Sequence, residues 1–207
     1  MRILIVDDHA MVREGLKRIL ADEFEDAGFG EAANATEALE RLWKESWDLV
    51  LLDVSMHGRT GLDVLKEIRA SASRMPVLVL SAHPEEQYAV RVLKAGAAGY
   101  LTKESAPQEL CRAVRKVVSG GKYLTPGVAE QLAAEVQSSG RQAHELLSNR
   151  EYQVMLLIAA GKVPKEIGDE LSLSVKTVGT YRTRVLEKLK LKNNAELMRY
   201  VLERGLS

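Results

Sequence analysis

Ile3-Leu4-Ile5-Val6-Asp7-Asp8 opens with an unbroken apolar run that stops on two acids, and the arrangement returns three times. Leu49-Val50-Leu51-Leu52 runs into Asp53, Val77-Leu78-Val79-Leu80 into Ser81, and Gly99-Tyr100-Leu101-Thr102 into Lys103. Apolar runs this short, with no polar alternation, read as parallel strands covered on both faces. The stretches between them, near 9–20, 35–45, 60–70, 85–95 and 105–119, carry helical period. A weak strand near 27–31 completes five strand–helix units, the pattern of a parallel sheet with helices on both faces. In such an open sheet the functional site lies beyond the carboxyl ends of the strands. Three carboxylates, a hydroxyl and an ammonium are therefore expected on one rim.

The chain has 207 residues, room for one large domain or two modest ones, and two is the expected reading because its zero net charge is unevenly divided. Residues 1–140 hold 17 basic and 21 acidic side chains, whereas 141–207 hold 12 and 8. A basic tail after an acidic first part suits a nucleic-acid partner for the tail. Cys111 is the single cysteine, which excludes an intrachain disulfide framework and points to a reducing compartment. It falls in a helical pattern with Leu110, Val114, Val117 and Val118 and reads as a buried structural thiol. The apolar stretch after Met1 is too short for a signal peptide, and no uncharged run could span a bilayer. A soluble cytoplasmic protein without membrane contact is expected.

Glycines punctuate the first part: Gly28 and Gly30 around the weak strand, Gly58 and Gly61 after the third, Gly96 and Gly99 before the fifth. Gly120-Gly121 marks an end near residue 120, giving domains at 1–120 and 146–207 with a linker, 121–145, between them. Within the linker, 126–137 reads as a short helix with Pro126 in its first turn, and Ser138-Ser139-Gly140 as a hinge. The rest is helical. Ser148 with Glu151 fits a capping box, Leu147 a hydrophobic staple, and Gly161 a helix stop. A short helix at 164–171, the turn Ser172-Leu173-Ser174 and a longer helix at 175–190 make a helix-turn-helix, and Asn193 with Glu196 opens a fourth helix.

Asp7, Asp8 and Asp53 in one pocket would repel one another unless a cation or a proton sat between them. Mg²⁺ takes oxygen ligands and commonly joins carboxylates to a phosphate. Lys103 beside such an ion calls for an anionic group, and phosphoryl transfer is served by this kind of positioning and electrostatics. Asp53, alone at the end of its run, is the candidate nucleophile for an aspartyl phosphate. Ser81 is placed to hydrogen-bond a phosphoryl oxygen and Lys103 to offset its charge. Each residue also has a plain alternative: a helix cap, a turn opener or a solvated charge.

Residues 1 to about 120 resemble the receiver domain of bacterial two-component response regulators. The likeness rests on Ile5-Val6-Asp7-Asp8-His9, Leu52-Asp53-Val54-Ser55-Met56, Leu80-Ser81-Ala82 and Lys94-Ala95-Gly96-Ala97-Ala98-Gly99-Tyr100-Leu101-Thr102-Lys103. It implies a flavodoxin-like α/β fold with a parallel sheet of order 2-1-3-4-5 and phosphorylation of Asp53 by a histidine kinase. It further implies Mg²⁺ held by Asp8, Asp53 and the Ser55 carbonyl, Asp7 acting mainly through water, and Ser81 with Tyr100 as a switch pair. Positions two beyond the acceptor and two beyond the switch hydroxyl, here Ser55 and His83, are expected to tune the lifetime of the phosphoryl group. His57 departs from the family, which usually has Pro there, and a tolerated surface substitution is the expected reading.

On a helical wheel of 175–190, Val178, Tyr181, Val185 and Leu189 gather on one side and Lys176, Gly179, Thr180 and Thr183 on the other. An apolar back with small polar residues opposite suits insertion into a major groove, while Arg182 at the edge is expected to reach a phosphate. Residues from about 146 to 207 are similar to the all-α four-helix LuxR-type domain of the NarL/FixJ group. The likeness is carried by Leu147-Ser148-Asn149-Arg150-Glu151, Glu166-Ile167, Leu173-Ser174-Val175-Lys176-Thr177-Val178, Tyr181 and Leu186. It implies DNA contacts from Lys176, Thr177, Gly179, Thr180, Arg182, Thr183 and Arg184. Gly179 stands where the family usually carries a side chain. Gly168 is expected to weaken its helix by about 0.5–1 kcal/mol relative to Ala.

Together these features predict a DNA-binding response regulator, a homodimer on DNA, with RNA polymerase as a further partner. It is expected to act as a phosphoacceptor rather than a turnover enzyme, at most catalysing its own phosphotransfer and dephosphorylation. The segment from Glu85 to Lys116 is the expected coupling face, and Leu197, Tyr200 and Val201 an expected dimer contact. Two other readings remain at this point. One is a DNA binder indifferent to phosphorylation; the other is an aspartyl-phosphate phosphatase, which the absence of a second acid at Ser55 disfavours.

Overall fold

Each apolar run forms a strand: β1 (Arg2–Val6), β3 (Leu49–Asp53), β4 (Val77–Ser81) and β5 (Gly99–Thr102), with the weaker β2 (Gly28–Ala32) also present. The computed structural model describes residues 1–56, 59–71, 74–137 and 143–206. His57 and the hinge expected at Ser138-Ser139-Gly140 lie outside the described residues. All pairings are parallel and the sheet order is β2-β1-β3-β4-β5. Every residue of β3 and β4 is buried, which is why their sequences show no alternation. Register sets Val6 beside Leu52, Asp53 beside Leu80 and Ser81 beside Thr102, so the polar strand ends form one row.

The intervening helices are α1 (Ala10–Glu23), α2 (Ala35–Lys44), α3 (Gly61–Ala70), α4 (Glu85–Lys94) and α5 (Pro107–Val118). Asn34 caps α2 by accepting from the Glu37 N–H at 3.0 Å. Thr60 and Asp63 form a reciprocal capping box on α3. One side of the sheet buries Ile3, Ile5, Leu51, Leu78 and Leu101 against Leu110, Val114 and Val117 of α5. Cys111 belongs to this core and burial pushes its thiol up, in keeping with a structural role. Val118, expected on the same face, is 39 % exposed because it ends the helix.

Gly30, expected at a strand boundary, lies inside β2, while Gly99 is the first residue of β5. At Gly30 a Cβ would run into the Trp47 ring, and at Gly99 into Leu78 and Tyr123. The chain remains packed in the first unit beyond Gly121: Tyr123 donates its N–H to the Ala98 carbonyl at 2.9 Å, pairs with Gly99, and gives its hydroxyl proton to Glu109 at 3.0 Å. Thr125, at the start of α6 (Pro126–Gln137), donates to Glu85 Oε2 at 2.6 Å.

The chain divides into two compact units, Met1–Gln131 and Leu132–Ser207. In the second, a 3-10 turn at Ala143–Leu146 precedes α7 (Asn149–Ala159), α8 (Pro164–Leu171), α9 (Val175–Leu189) and α10 (Asn194–Glu203). Ser148 and Glu151 form the expected capping box, and Gly161 adopts φ +83° just past α7. Glu151 is buried and also accepts from Lys188 Nζ of α9 at 2.6 Å. Burial alone would raise the Glu151 carboxyl, but Lys188 and Ser148 outweigh it and hold the group below its ordinary 4.5.

Leu197 and Val201, expected at a dimer contact, are instead fully buried in the core of the unit, where α10 packs on α7. Tyr200 between them is half-buried and its hydroxyl lies 3.1 Å from His144 Nδ1. Periodicity located the apolar stripe correctly, and the unit's own core takes it. Gly168 is also corrected. A Cβ there would stand 2.6 Å from the Leu173 carbonyl oxygen, because the turn folds back and the Leu173 N–H donates to the Gly168 carbonyl at 2.8 Å. Alanine there would force the turn to shift, so glycine supports the turn instead of weakening it.

Candidate functional site

Asp7 and Asp53 leave neighbouring strands side by side and are both buried, at 1 % and 2 % exposure. Lys103, just beyond β5, places its Nζ 2.6 Å from Asp7 Oδ2 and 2.8 Å from Asp53 Oδ2. The remaining carboxylate oxygens accept backbone protons: Asp7 Oδ1 from the His9 N–H at 2.8 Å and Asp53 Oδ1 from the Ser55 N–H at 2.9 Å. Behind the site, Gly61 lets α3 close on the strand end, since a Cβ would lie 2.0 Å from the Asp53 carbonyl oxygen.

Burial pushes the Asp53 carboxyl above its ordinary 3.8 despite the attraction of Lys103 and the Ser55 N–H, and Asp7 adds to the rise. Burial opposes the Lys103 ammonium, yet Asp53 and Asp7 overcome it and lift the group above its ordinary 10.5. Ligand atoms of Asp7, Asp8, His9 and Asp53 all lie within 4.8 Å of one another. Three carboxylates facing one ammonium leave an excess of negative charge in a largely buried pocket, and that donor set fits a hard divalent cation.

Ser81 is fully buried at the end of β4 and its Oγ accepts the His83 N–H at 3.0 Å. Tyr100, on neighbouring β5, is 1 % exposed and donates its hydroxyl proton to the His83 carbonyl at 2.8 Å. The two residues expected as a switch thus grip opposite ends of one residue. The His83 ring stacks on Tyr88 of α4 with centroids 4.7 Å apart.

In the second unit, α9 buries Val178, Val185, Leu186 and Leu189, with Tyr181 half-buried. Lys176, Thr180, Thr183 and Arg184 are exposed, while Thr177 and Gly179 are half-buried. Arg182 is half-buried and its Nε donates to Asn194 Oδ1 at 2.7 Å, which ties it to the start of α10. Thr180 and Thr183 donate their hydroxyl protons to the Lys176 and Gly179 carbonyls, each at 3.1 Å. The Thr177 N–H is capped by Ser174 Oγ at 3.1 Å.

The chain matches the response regulator receiver domain over residues 3–115 and the bacterial regulatory proteins, luxR family, over residues 145–201. It belongs to the response-regulator family. Response regulator UvrY of Escherichia coli (strain K12) is 38 % identical over 208 residues, spanning 100 % of this chain and 95 % of the relative. RcsB from Salmonella enterica serovar Typhimurium, solved bound to promoter P1flhDC with the phosphomimetic BeF₃⁻, is 26 % identical, with 97 % of each chain covered and a TM-score of 0.61. A structure of two RcsB dimers bound to two parallel DNAs gives 27 % identity, the same coverage and a TM-score of 0.60.

The receiver domain therefore brings Asp7, Asp8, Asp53, Ser55 and Lys103 to one pocket, with Ser81 and Tyr100 joined through His83 beside it. Two features escaped sequence reasoning. His9 faces the acids with its ring nitrogen, which its place in Asp7-Asp8-His9 permits but does not dictate. The role of His83 as the shared partner of Ser81 and Tyr100 depends on backbone atoms, for which sequence gives no signal.

Proposed function

We propose that this response regulator is a transcription factor whose DNA binding is controlled by phosphorylation of Asp53. The observation that carries the reading is the Asp53 carboxylate, buried at the end of the central strand with Lys103 on one oxygen and the Ser55 N–H on the other. In this reading residues 1–120 receive the phosphoryl group, 121–145 link, and 146–207 bind DNA. A carboxylate oxygen of Asp53 attacks the phosphorus of a histidine kinase phosphoimidazole. The P–O bond forms, the P–N bond breaks, and the imidazole leaves and takes up a proton. Lys103 offsets the charge of the phosphoryl oxygens, and Ser81 donates its hydroxyl proton to one of them.

Mg²⁺, held by Asp8, Asp53 and the Ser55 carbonyl with Asp7 acting mainly through water, supplies further neutralisation of the transferring group when bound. The excess of carboxylate over ammonium in the pocket supports that ion. Engagement of Ser81 by the phosphoryl group loosens its hold on the His83 N–H, and Tyr100 on the His83 carbonyl carries the change toward α4. The phosphotransfer and later hydrolysis are the chain's own single-turnover chemistry.

In the LuxR-family domain, α9 enters the major groove. Lys176, Thr177, Thr180, Thr183 and Arg184 face bases and phosphates, Arg182 reaches a phosphate from its anchor on Asn194, and Gly179 allows close approach of the backbone. With their protons given to helix carbonyls, Thr180 and Thr183 offer oxygen lone pairs to base donors. RcsB is bound to DNA as dimers, which supports a homodimer on two half-sites here, with RNA polymerase a further partner. Among the described residues no helix is long and apolar enough to cross a membrane, and a DNA target goes with a cytoplasmic location.

The test is DNA affinity measured with and without Mg²⁺ and a small phosphodonor, with Asp53→Asn as control. Tighter binding only in the wild type with donor supports the reading. Equal affinity throughout would make the receiver a docking module, and steady phosphate release from many monoesters would make the chain a phosphatase.

A further inference from the structure

The receiver pocket contains a ligand that an all-oxygen Mg²⁺ site does not require. His9 Nδ1 lies 2.8 Å from Asp8 Oδ1 and 3.3 Å from Asp7 Oδ1, and His9 offers a ligand atom within the same 4.8 Å cluster as Asp53. His9 pairs directly with the two acids at these separations, which are also those between neighbouring ligand atoms in a coordination shell. With bonds of about 2.1 Å, ligand atoms at right angles stand about 3.0 Å apart and at tetrahedral angles about 3.4 Å.

The backbone at His9 is fixed while its ring is adjustable. Its N–H donates to Asp7 Oδ1, and its carbonyl accepts from the Val12 and Arg13 N–H groups at the start of α1. The His9 side chain is 63 % exposed, so its ring can follow an ion without disturbing the core. Lys103 lies against Oδ2 of both Asp7 and Asp53, so Asp53 would offer a cation its remaining lone pairs beside Asp8 and His9. Mg²⁺ prefers oxygen, whereas Ni²⁺, Cu²⁺ and Zn²⁺ bind imidazole strongly.

We propose that His9, Asp8 and Asp53 form a mixed nitrogen–oxygen site that binds divalent transition-metal ions such as Ni²⁺ in preference to Mg²⁺. The inference rests on the reading of the pocket as a cation site and adds a selectivity that the carboxylates alone do not supply. An ion held this way occupies the carboxylates that Mg²⁺ needs, so phosphoryl acceptance becomes sensitive to transition metals.

Calorimetric titration of the full chain with NiCl₂ and with MgCl₂ tests this, together with pulsed electron paramagnetic resonance of the Cu²⁺-loaded chain. Ni²⁺ should bind about tenfold or more tighter than Mg²⁺. His9→Ala should remove that advantage while leaving Mg²⁺ affinity within about twofold, and Asp8→Asn should weaken both. The imidazole-nitrogen modulation of bound Cu²⁺ should disappear in His9→Ala. Equal Ni²⁺ and Mg²⁺ affinities, Ni²⁺ binding unchanged by His9→Ala, or modulation that survives that substitution would each overturn the proposal. If Mg²⁺ neither binds nor supports labelling of Asp53 while Ni²⁺ binds through His9, the proposed function fails and this inference stands.

Discussion

The Lys103 ammonium lies 2.8 Å from Asp53 Oδ2 and is shared with Asp7, so a single cation faces two buried carboxylates. A carboxyl held above its ordinary value favours folding when protonated. That contribution is complete below 3.8 and is lost as pH rises through the folded value of Asp53. Asp53→Asn stays neutral throughout, so in metal-free buffer its melting temperature at pH 7 should exceed that of the wild type by about 2–4 °C, with a flatter acid-to-neutral dependence. Lys103→Met should move the other way, by about 3 kcal/mol at pH 7, because two carboxylates then face each other uncompensated. Circular-dichroism melts across pH check both.

Glu151 has the opposite sign. A carboxyl held below its ordinary value stabilises the fold above 4.5, and the benefit is lost as pH falls through its folded value. Glu151→Gln removes the charge that Lys188 and the Ser148 N–H share, and should cost about 1–3 kcal/mol at pH 7. The difference from wild type should narrow below pH 4. Urea titrations at the two pH values measure it.

Two glycines of the DNA-binding unit should respond oppositely to alanine. Gly168→Ala meets the Leu173 carbonyl and should destabilise by about 1–3 kcal/mol, the cost of an overpacked site. Gly179 has nothing within 4 Å of its would-be Cβ, so Gly179→Ala should stabilise α9 by about 0.5–1 kcal/mol. Chemical denaturation of each variant reads the sign. A DNA affinity that falls in Gly179→Ala despite the added stability would locate that position against the groove.

His83 should affect the phosphoryl lifetime. Its backbone N–H donates to the Ser81 hydroxyl oxygen and its ring stacks on Tyr88, and the proposed role of that ring is to limit access of attacking water. His83→Ala should shorten the half-life of phosphorylated Asp53 by about tenfold, a barrier change of about 1.4 kcal/mol. A half-life equal to that of the wild type removes His83 from that role.

The strands were legible because β3 and β4 are apolar at every position before their final Asp53 and Ser81, and the rim followed from where those runs stop. The capping pairs Ser148 with Glu151 and Asn193 with Glu196 marked helix starts for a local reason, since each bond spans three residues. What sequence could not give is non-local. Periodicity finds the stripe of Leu197 and Val201 but not whether a neighbour or a second copy covers it. Helix propensity judges Gly168 by its own turn and misses the carbonyl that returns from Leu173. His9 is adjacent to two acids in sequence, yet only side-chain direction turns adjacency into a ligand.

Tyr123 has a consequence for any attempt to isolate the first unit. By pairing in parallel with Gly99 and donating to the Ala98 carbonyl, it adds one residue's worth of strand outside β5. β5 is the last strand of the sheet on that side, and an uncovered strand edge invites pairing with another chain. A fragment ending at residue 120 would keep the pocket of Asp7, Asp8, Asp53 and Lys103 and still lose that cover, so it should self-associate where the full chain does not.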